Sequence, residues 1–472
     1  MKSPSLLLSV TPILVLIGLL FLNVIYFDDP LGGANQIALM ITATVSGIIA
    51  VFHHVKWETI QKKILGMIDS AMPAILILLL IGALSGTWML SGVIPTMIYY
   101  GIKLMSPAYF LVASVIICSI VSVATGSSWS TIATVGVAII GIGNAFNMNP
   151  SIVAGAVISG AYFGDKMSPL SDTTNLASAI AGTDIFTHIR YLLYTTTPTY
   201  IITLIIFGII GLFYHNTVDI TETDAIITGM ESTFHITPWL LLVPVLLAFI
   251  IIKKVPPVPA MLAGITLGVI FALIFQPQLI DNLTQSEHFT NAYQVIVQTI
   301  FGKMELTTGT PEIDSLLSTR GMEGMLNTVW LIVMAMIFSG VMEAGGFLKR
   351  ISEALLSFVR NDTSLVATTI STCILFNITS CDQYLSIVVP GKMTQKIYKD
   401  RGLKPEVLSR ALEDSATVTS VLIPWNTCGA TQARVLGVAT LDYLPYCFFN
   451  LISPVMNIFI TSINYKIRRV SK

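Results

Sequence analysis

The sequence predicts an all-α polytopic membrane protein made of two inverted repeats, with broken helices at mid-membrane. Three observations lead to this prediction: the long apolar segments, the distribution of basic residues between them, and matches between the two halves at a nearly constant offset. Of the 472 residues, 54% are hydrophobic and 11% are charged, whereas about 25% of the residues of a soluble chain are charged. A lipid bilayer is therefore the expected surrounding of most of the chain.

Apolar segments recur from one end of the chain to the other. They comprise residues 6–27, 34–52, 70–90, 107–125, 131–146, 151–180, 191–213, 237–252, 258–276, 323–345, 363–380, 384–390, 404–438 and 442–463. Each long segment predicts a helix that crosses or enters the bilayer. The first segment is longer than the apolar core of a signal peptide, so we expect it to be retained as a span.

The basic residues divide the loops into two sides, because short cytoplasmic loops are enriched in Lys and Arg. Most of the 25 basic residues, together with both chain ends, fall on one side. This division requires residues 107–146 and 363–390 each to enter and leave the membrane on the same side. We therefore predict two re-entrant hairpins, with tips near 125–130 and 377–383; two ordinary pairs of spans are the alternative. Both termini are then expected in the cytoplasm.

The two halves of the chain match around these hairpins. Gly86 matches Gly340 at an offset of 254 residues, and Pro169 matches Pro424 at an offset of 255. At the hairpin tips, Asp382 pairs with Ser128 in this alignment. Each match is weak alone, but the shared offset extends over about 110 residues and predicts a structural repeat.

Loops at equivalent positions of the two halves differ in charge. The first loop of one half is Asp28-Asp29-Pro30, whereas its counterpart contains Lys253 and Lys254. Each half is expected to hold five spans and one hairpin, and an odd number of crossings inverts the second half. The predicted division is repeat 1 at residues 1–213, an external linker at 214–236, and repeat 2 at 237–472.

Each repeat also contains a helix that is expected to break in mid-membrane. In residues 151–180 the expected breakers are Gly164 and Pro169, and in residues 404–438 the breaker is Pro424. Inverted repeats with broken helices are typical of secondary transporters, which bind their substrates near the midplane.

Three carboxylates are the leading site candidates: Asp165 and Asp172 in the first broken helix, and Asp382 at the second hairpin tip. A charge in the membrane is costly, so such residues are functional candidates. Carboxylate, hydroxyl and amide oxygens suit a hard cation such as Na⁺. The polar residues expected to complete the shell are Ser127, Ser128, Ser171, Thr173, Thr174, Asn175, Asn377, Thr379, Asn426 and Thr427.

Other charged residues allow more than one interpretation. Glu413 and Asp414 are expected near the cytoplasmic end of the second broken helix, beside Arg410. Lys166 and Arg434 are cations inside apolar segments, so they are candidates for pairing with an organic anion. No protease, zinc or nucleic-acid motif is present in the sequence. We therefore expect no enzymatic activity, no nucleic-acid partner and no cofactor, with Na⁺ and H⁺ as the transported ions.

Two motifs in the broken helices point to a known family. The sequences GAYFGDKMSPLSDTTNLA at residues 160–177 and IPWNTCGA at residues 423–430 resemble the NhaC family of bacterial sodium/proton antiporters. The resemblance covers nearly the whole chain. It implies a cell-membrane antiporter that exports Na⁺ in exchange for H⁺, and the wider ion-transporter superfamily implies a homodimer and an elevator-type motion.

The resemblance leaves a second function open. Some relatives that share the first motif exchange malate for Na⁺ and lactate, or carry amino acids. A carrier or exchanger of organic anions or amino acids coupled to Na⁺ or H⁺ is therefore the alternative. In either case, the expected mechanism is a buried carboxylate site that binds the cation or the proton but not both, since burial disfavours an uncompensated charge.

Overall fold

Helices account for nearly all of the regular structure in the computed structural model of the chain. The structure describes residues 4–27, 32–214, 220–286, 289–304, 314 and 318–470. Within these ranges no β-strand occurs; only isolated backbone bridges join Met304 to Thr319 and Leu403 to Arg469. The predicted loop Asp28-Asp29-Pro30 lies outside the described residues, as do residues 215–219 of the predicted linker and residues 305–313 and 315–317.

The helices of the described residues follow one another with short connections. In chain order they are α1 Leu6–Tyr26, α2 Ala34–Phe52, α3 Trp57–Leu90, α4 Val93–Leu104, α5 Pro107–Thr125, α6 Ser128–Ala145, α7 Pro150–Met167, α8 Asp172–Ala181, α9 Ile185–Tyr214, α10 Ile220–Thr233, α11 Leu242–Ile252, α12 Pro257–Phe275, α13 Pro277–Ser286, α14 Ala292–Phe301, α15 Leu326–Ala344, α16 Phe347–Leu356, α17 Asp362–Thr379, α18 Gln383–Asp400, α19 Pro405–Leu412, α20 Thr427–Leu436 and α21 Phe448–Ser462. Short 3₁₀ and α turns lie between some of them.

Many of these helices have the length and composition of membrane spans. Eight helices in the described part of the chain are long and apolar enough to cross a membrane, or ten if each of two bent pairs is one span. The eight include α5 and α6, the two arms of the first predicted hairpin. The predicted class, an all-α polytopic membrane protein, is therefore confirmed; the assignment of two inverted repeats stays a prediction.

The first hairpin, hairpin 1, consists of α5 and α6. The chain reverses at Gly126, which adopts a left-handed conformation with φ of 70°, and Ser127 caps α6 by accepting a hydrogen bond from the Ser130 amide at 3.2 Å. At the far ends of the two arms, the rings of Phe110 and Phe146 meet edge to face with centroids 5.4 Å apart. The chain thus returns to the level at which it entered.

The second hairpin, hairpin 2, consists of α17 and α18. Cys381 has a left-handed φ of 58° at the tip, and Asp382 caps α18. The hydroxyls of Thr369 and Tyr398, which lie well away from the tip on opposite arms, are 3.1 Å apart. The second arm reaches Asp400, ten residues beyond the predicted end at residue 390, because the helix continues past its apolar part.

The two hairpin tips can be aligned by their backbone. The left-handed residues are Gly126 and Cys381, and the residues that cap the following helices are Ser127 and Asp382. Both pairs have an offset of 255, so Asp382 occupies the position of Ser127. The alignment of Asp382 with Ser128 made from the sequence is wrong by one residue.

Broken helix 1 consists of α7 and α8. The helical hydrogen bonds end at Met167 and restart at Asp172, so the break spans residues 168–171 and contains Pro169 as predicted. The prediction that Gly164 also breaks the helix is wrong, since Gly164 lies inside α7. It lets α7 approach hairpin 1 closely: a Cβ at this position would lie 2.5 Å from Ser122 Cβ.

Broken helix 2 consists of α19, a π-helical turn at Glu413–Thr417, a 3₁₀ turn at Ser420–Leu422, and α20. The break at residues 423–426 contains Pro424, as predicted. Backbone and side-chain donors attach this break to the tip of hairpin 2. The Thr427 amide donates to the Cys381 carbonyl at 3.0 Å, and Trp425 Nε1 donates to the Ile378 carbonyl at 2.7 Å.

A pair of long helices, α3 and α12, lies on the other side of these elements. Trp88 of α3 is buried, and its indole Nε1 donates to the carbonyl of Gly264 in α12 at 3.2 Å. Gly268 of α12 faces the Thr87 side chain so closely that a Cβ would lie 2.8 Å from the hydroxyl oxygen. Small residues thus allow the close helix packing that is common in membranes.

Candidate functional site

A cavity of about 600 Å³ lies where the hairpin tips meet the breaks in the helices. Its wall includes Asp165, Asp172 and Asp382, so the structure brings together all three carboxylates that the sequence singled out. They come from α7, α8 and the cap of α18, which are three separate elements. The opposite wall is formed by Ser70 to Ile77 of α3 and by the start of α12.

Asp165 is the most firmly held of the three carboxylates. Its side chain is buried, with 6% of its surface exposed. Its Oδ2 accepts hydrogen bonds from the Ser128 hydroxyl at 2.7 Å and from the Ser128 amide at 3.2 Å. Broken helix 1 is therefore joined to the tip of hairpin 1 through this carboxylate.

Asp172 and Asp382 each begin a helix at the cavity. Asp172 is the first residue of α8, whose N-cap is Ser171, and its side chain is exposed towards the cavity. Asp382 is 5% exposed, and its Oδ1 accepts a hydrogen bond from the Leu385 amide at 2.8 Å. Both carboxylates therefore lie at the N-termini of helices that begin at the cavity wall.

The predicted polar shell divides into residues on the cavity wall and residues behind it. Four members line the cavity: Ser127, Thr173, Asn175 and Thr427. Ser128, Ser171 and Thr174 lie close behind them, where Ser128 binds Asp165, Ser171 contacts Thr173, and Thr174 donates to carbonyl oxygens of α7.

The remaining members of the predicted shell hold the second half together instead of lining the cavity. Asn426 caps α20 and donates to the Asn377 carbonyl at 3.1 Å. Asn377 in turn donates to the Ala416 carbonyl at 2.8 Å, which fixes hairpin 2 to broken helix 2. The Thr379 hydroxyl donates to the Leu375 carbonyl within its own helix at 2.6 Å.

Glu413 is a fourth carboxylate near the site, which the sequence placed at the cytoplasmic end of its helix. It is fully buried in the π-helical turn, and its Oε1 accepts hydrogen bonds from the hydroxyls of Thr173 at 3.2 Å and Thr174 at 3.5 Å. Its position directly behind the cavity wall corrects the expectation from the sequence. A turn of π-helix is often found at functional sites, but it leaves no simple mark in the sequence.

The intramembrane cations Lys166 and Arg434 occupy different places. Lys166 is fully buried, and its Nζ forms an ion pair with Asp414 and donates to the Ser453 hydroxyl at 3.0 Å. Arg434 lies at the end of α20 beside a separate cavity of about 180 Å³, which Asn327 also lines. Neither cation faces the three carboxylates across the main cavity, so neither is placed there to pair with an organic anion.

The cavity has one basic residue on its wall among the described residues, which is Lys254. This residue is exposed, has a left-handed φ of 61°, and follows the end of α11. Its side chain is exposed at the rim of the cavity wall, whereas Asp165 and Asp382 are buried. No group of three or more His, Cys, Asp or Glu residues in the described ranges is close enough to hold a metal ion together. The carboxylates share a cavity without forming such a cluster.

The chain is similar to known proteins over these same elements. The Na⁺/H⁺ antiporter family matches residues 160–463, which include the breaks of both broken helices, hairpin 2 and all three cavity carboxylates. The chain belongs to this family. It is 36% identical to the Na⁺/H⁺ antiporter NhaC of Alkalihalophilus pseudofirmus over 445 residues, which cover 94% of each chain. The resemblance to the NhaC antiporters is therefore confirmed, and the chain is an antiporter-family membrane protein.

Relatives of similar identity carry other names. The chain is 35% identical over 93% of its length to the malate-2H⁺/Na⁺-lactate antiporter of Bacillus subtilis, which is covered to 92%. It is 32% identical over 96% of its length to the arginine/ornithine antiporter ArcD of Halobacterium salinarum, which is covered to 91%. All three relatives are named as antiporters, and none of these names describes an enzyme.

Proposed function

We propose that this protein is a secondary active transporter that exports Na⁺ in exchange for H⁺. The observation that carries the proposal is the cavity at the breaks, where Asp165, Asp172 and Asp382 share one wall. Oxygen donors of this kind suit Na⁺. The hydroxyl and amide groups of Ser127, Thr173 and Asn175 on the same wall can replace part of the water around the ion.

Exchange follows if Na⁺ and H⁺ compete for the same carboxylates. An ionised carboxylate in a buried site is costly unless a cation compensates it. Either Na⁺ or a proton alone can neutralise the carboxylate. If the site crosses the membrane only when it is neutralised, each Na⁺ that leaves is replaced by H⁺. In this scheme Asp172, which is the most exposed to the cavity, is the first carboxylate that an entering ion meets.

The proposed motion is an elevator-type movement of the hairpins and broken helices against α3 and α12. It is supported by the way that these elements are fastened to each other. Asp165 is bound by Ser128 of hairpin 1, and Thr427 is bound by Cys381 of hairpin 2. The proposal includes the two inverted repeats and cytoplasmic termini, as the distribution of basic residues predicts. It also includes a homodimer in the cell membrane, which the family resemblance implies.

An exchanger of organic anions or amino acids is the second candidate, and the size of the cavity favours it. A volume of about 600 Å³ is far more than Na⁺ requires, and it lies in the range of small-molecule sites, which is about 300–1,000 Å³. Lys254 at the rim supplies a positive charge for a carboxylate substrate. The names of two relatives, a malate/lactate antiporter and an arginine/ornithine antiporter, fit this candidate.

Reconstitution of the purified protein tests both candidates. In proteoliposomes, an imposed Na⁺ gradient should drive a pH change, and Asp172→Asn should abolish it. Asp400→Asn is the matched control, because this carboxylate is exposed at the end of α18, away from the cavity. Wild-type exchange in Asp172→Asn would remove this residue from the mechanism. Uptake of labelled malate, lactate or arginine in place of Na⁺-driven pH change would select the second candidate.

A further inference from the structure

Lys166 directly follows Asp165 in the sequence, yet its charge is directed away from the cavity. Its ammonium group is fully buried, where it pairs with Asp414 and donates to the Ser453 hydroxyl. It also lies 5.4 Å from the centre of the Phe449 ring. A buried ammonium must be compensated, and here the compensation comes from broken helix 2 and α21.

A second carboxylate is adjacent to this pair. Glu413 precedes Asp414 on the same π-helical turn and is equally buried. It forms no salt bridge within the described ranges, and its Oε2 has no hydrogen-bond partner there. Thr174 connects it to broken helix 1, since its hydroxyl lies 3.5 Å from Glu413 Oε1 and 3.2 Å from the Lys166 carbonyl oxygen.

Consecutive residues of a helical turn face different directions. Glu413 therefore faces Thr173 and the cavity wall, whereas Asp414 faces Ser453 on the far side. One buried ammonium and two buried carboxyl groups thus lie together, and the ammonium is bound to the carboxylate that faces away from the cavity wall. Within the described ranges, none of the carboxylates near the cavity forms a salt bridge.

We propose that Asp414 is a positioning residue that holds the Lys166 ammonium away from Asp165 and Glu413, so that the transported cation has no internal competitor. The inference rests on the proposed function, Na⁺ exchange at the cavity. Without Asp414, the buried ammonium must find another anion. Glu413 adjoins Asp414 on the same turn, Asp165 precedes Lys166 in α7, and both are buried carboxyl groups. A lysine bound there supplies the positive charge that Na⁺ would otherwise supply, and it lowers the affinity for Na⁺.

The KM for Na⁺ and the maximal rate distinguish this role from a purely structural one. In proteoliposomes, Asp414→Asn should raise the KM for Na⁺ by about tenfold or more, with a smaller change in maximal rate. Addition of Lys166→Met to this variant removes the competitor, so the KM should return to within about threefold of the wild-type value. Ser453→Ala is the matched control: it removes a neutral contact of Lys166 but keeps Asp414, and it should leave the KM for Na⁺ nearly unchanged.

The outcomes separate this inference from the proposed function. An inactive wild-type chain in the Na⁺ assay refutes both. An active wild type with an unchanged KM in Asp414→Asn, or a double variant whose KM stays as high as in the single variant, overturns the inference alone. If Asp414→Asn does not fold, Lys166→Met/Asp414→Leu, which has neither charge, takes its place. Its KM should match the wild type, and a tenfold increase would count against the inference.

Discussion

Substitution of Gly164 by alanine should push broken helix 1 away from hairpin 1, because there is no room between them for the added methyl group. A Cβ at this position would lie 2.5 Å from Ser122 Cβ and 2.5 Å from the Ser119 carbonyl oxygen. Carbon atoms in contact are normally about 3.5–4.0 Å apart. Gly164→Ala therefore requires α5 and α7 to move apart by roughly 1 Å at this level.

The cost of this separation can be worked from the hydrogen bonds that cross the same interface. The Ser122 hydroxyl donates to the Ala161 carbonyl at 2.6 Å, and the Ser119 hydroxyl donates to the Gly160 carbonyl at 3.2 Å. Both would exceed hydrogen-bonding distance, at a cost of about 1 kcal/mol each. Overpacking costs about 1–3 kcal/mol, and the better helix propensity of Ala returns about 1 kcal/mol. The free energy of unfolding should fall by about 2–4 kcal/mol.

Thermal unfolding of the purified protein in detergent measures this change. Gly66→Ala is the control, since Gly66 also lies inside a long helix, α3, but has no atom within 4 Å of the added Cβ. The control should be as stable as the wild type or more stable by about 1 kcal/mol. A melting temperature of Gly164→Ala at or above that of the wild type would refute the reasoning. Because Asp165 follows Gly164 and binds hairpin 1, the KM for Na⁺ should rise as well.

Two further predictions concern helix caps near the cavity. Asp382→Asn keeps an N-cap for α18, so the melting temperature should be retained while Na⁺ exchange is lost. Asp382→Ala should lose exchange and also about 0.5–2 kcal/mol of stability. Retained exchange in either variant would exclude this carboxylate from the mechanism. Asn426→Ala removes the acceptor of the Cys428 amide at 3.0 Å and should cost about 1–2 kcal/mol. It should leave the KM for Na⁺ unchanged because Asn426 does not line the cavity; an altered KM at unchanged stability would contradict this placement.

The parts of the fold that depend on local sequence were well predicted. The first two helices begin and end within one residue of the predicted segments 6–27 and 34–52. Pro169 and Pro424 both lie in breaks. Apolar runs and prolines act on their own neighbourhood, since they determine where a helix meets lipid and where its hydrogen bonds stop.

The parts that depend on distant partners were not predictable in the same way. Lys166 and its partner Asp414 are 248 residues apart, and nothing near Asp414 in the sequence indicates that it is buried. Its neighbour Arg410 suggested a solvent-exposed helix end, yet Arg410 is itself buried against the ring of Tyr191. The sequence contains the same residue types whether charged side chains pair in the interior or are exposed to water, so composition does not distinguish the two cases.

Gly164 and the second arm of hairpin 2 show two other limits of structure prediction from the sequence. A glycine before a proline in a polar stretch is consistent with a helix break, but a glycine also allows close packing. Only the position of hairpin 1 decides between these roles. The arm α18 extends to Asp400 because a helix that leaves the apolar region needs no further apolar residues. Hydrophobicity therefore gives the membrane-embedded part of a helix and not its full length.

The two walls of the main cavity belong to different groups of helices. Ala74 lies on α3 and Met261 on α12, whereas Tyr384 and Thr427 begin α18 and α20 on the facing side. The cavity is thus a seam between two packed groups and not a hole within one of them. A small molecule that binds both walls at once would act as a wedge: its affinity would depend on their relative position, and its binding would arrest any sliding between them. Such a compound would stop transport without occupying a cation ligand.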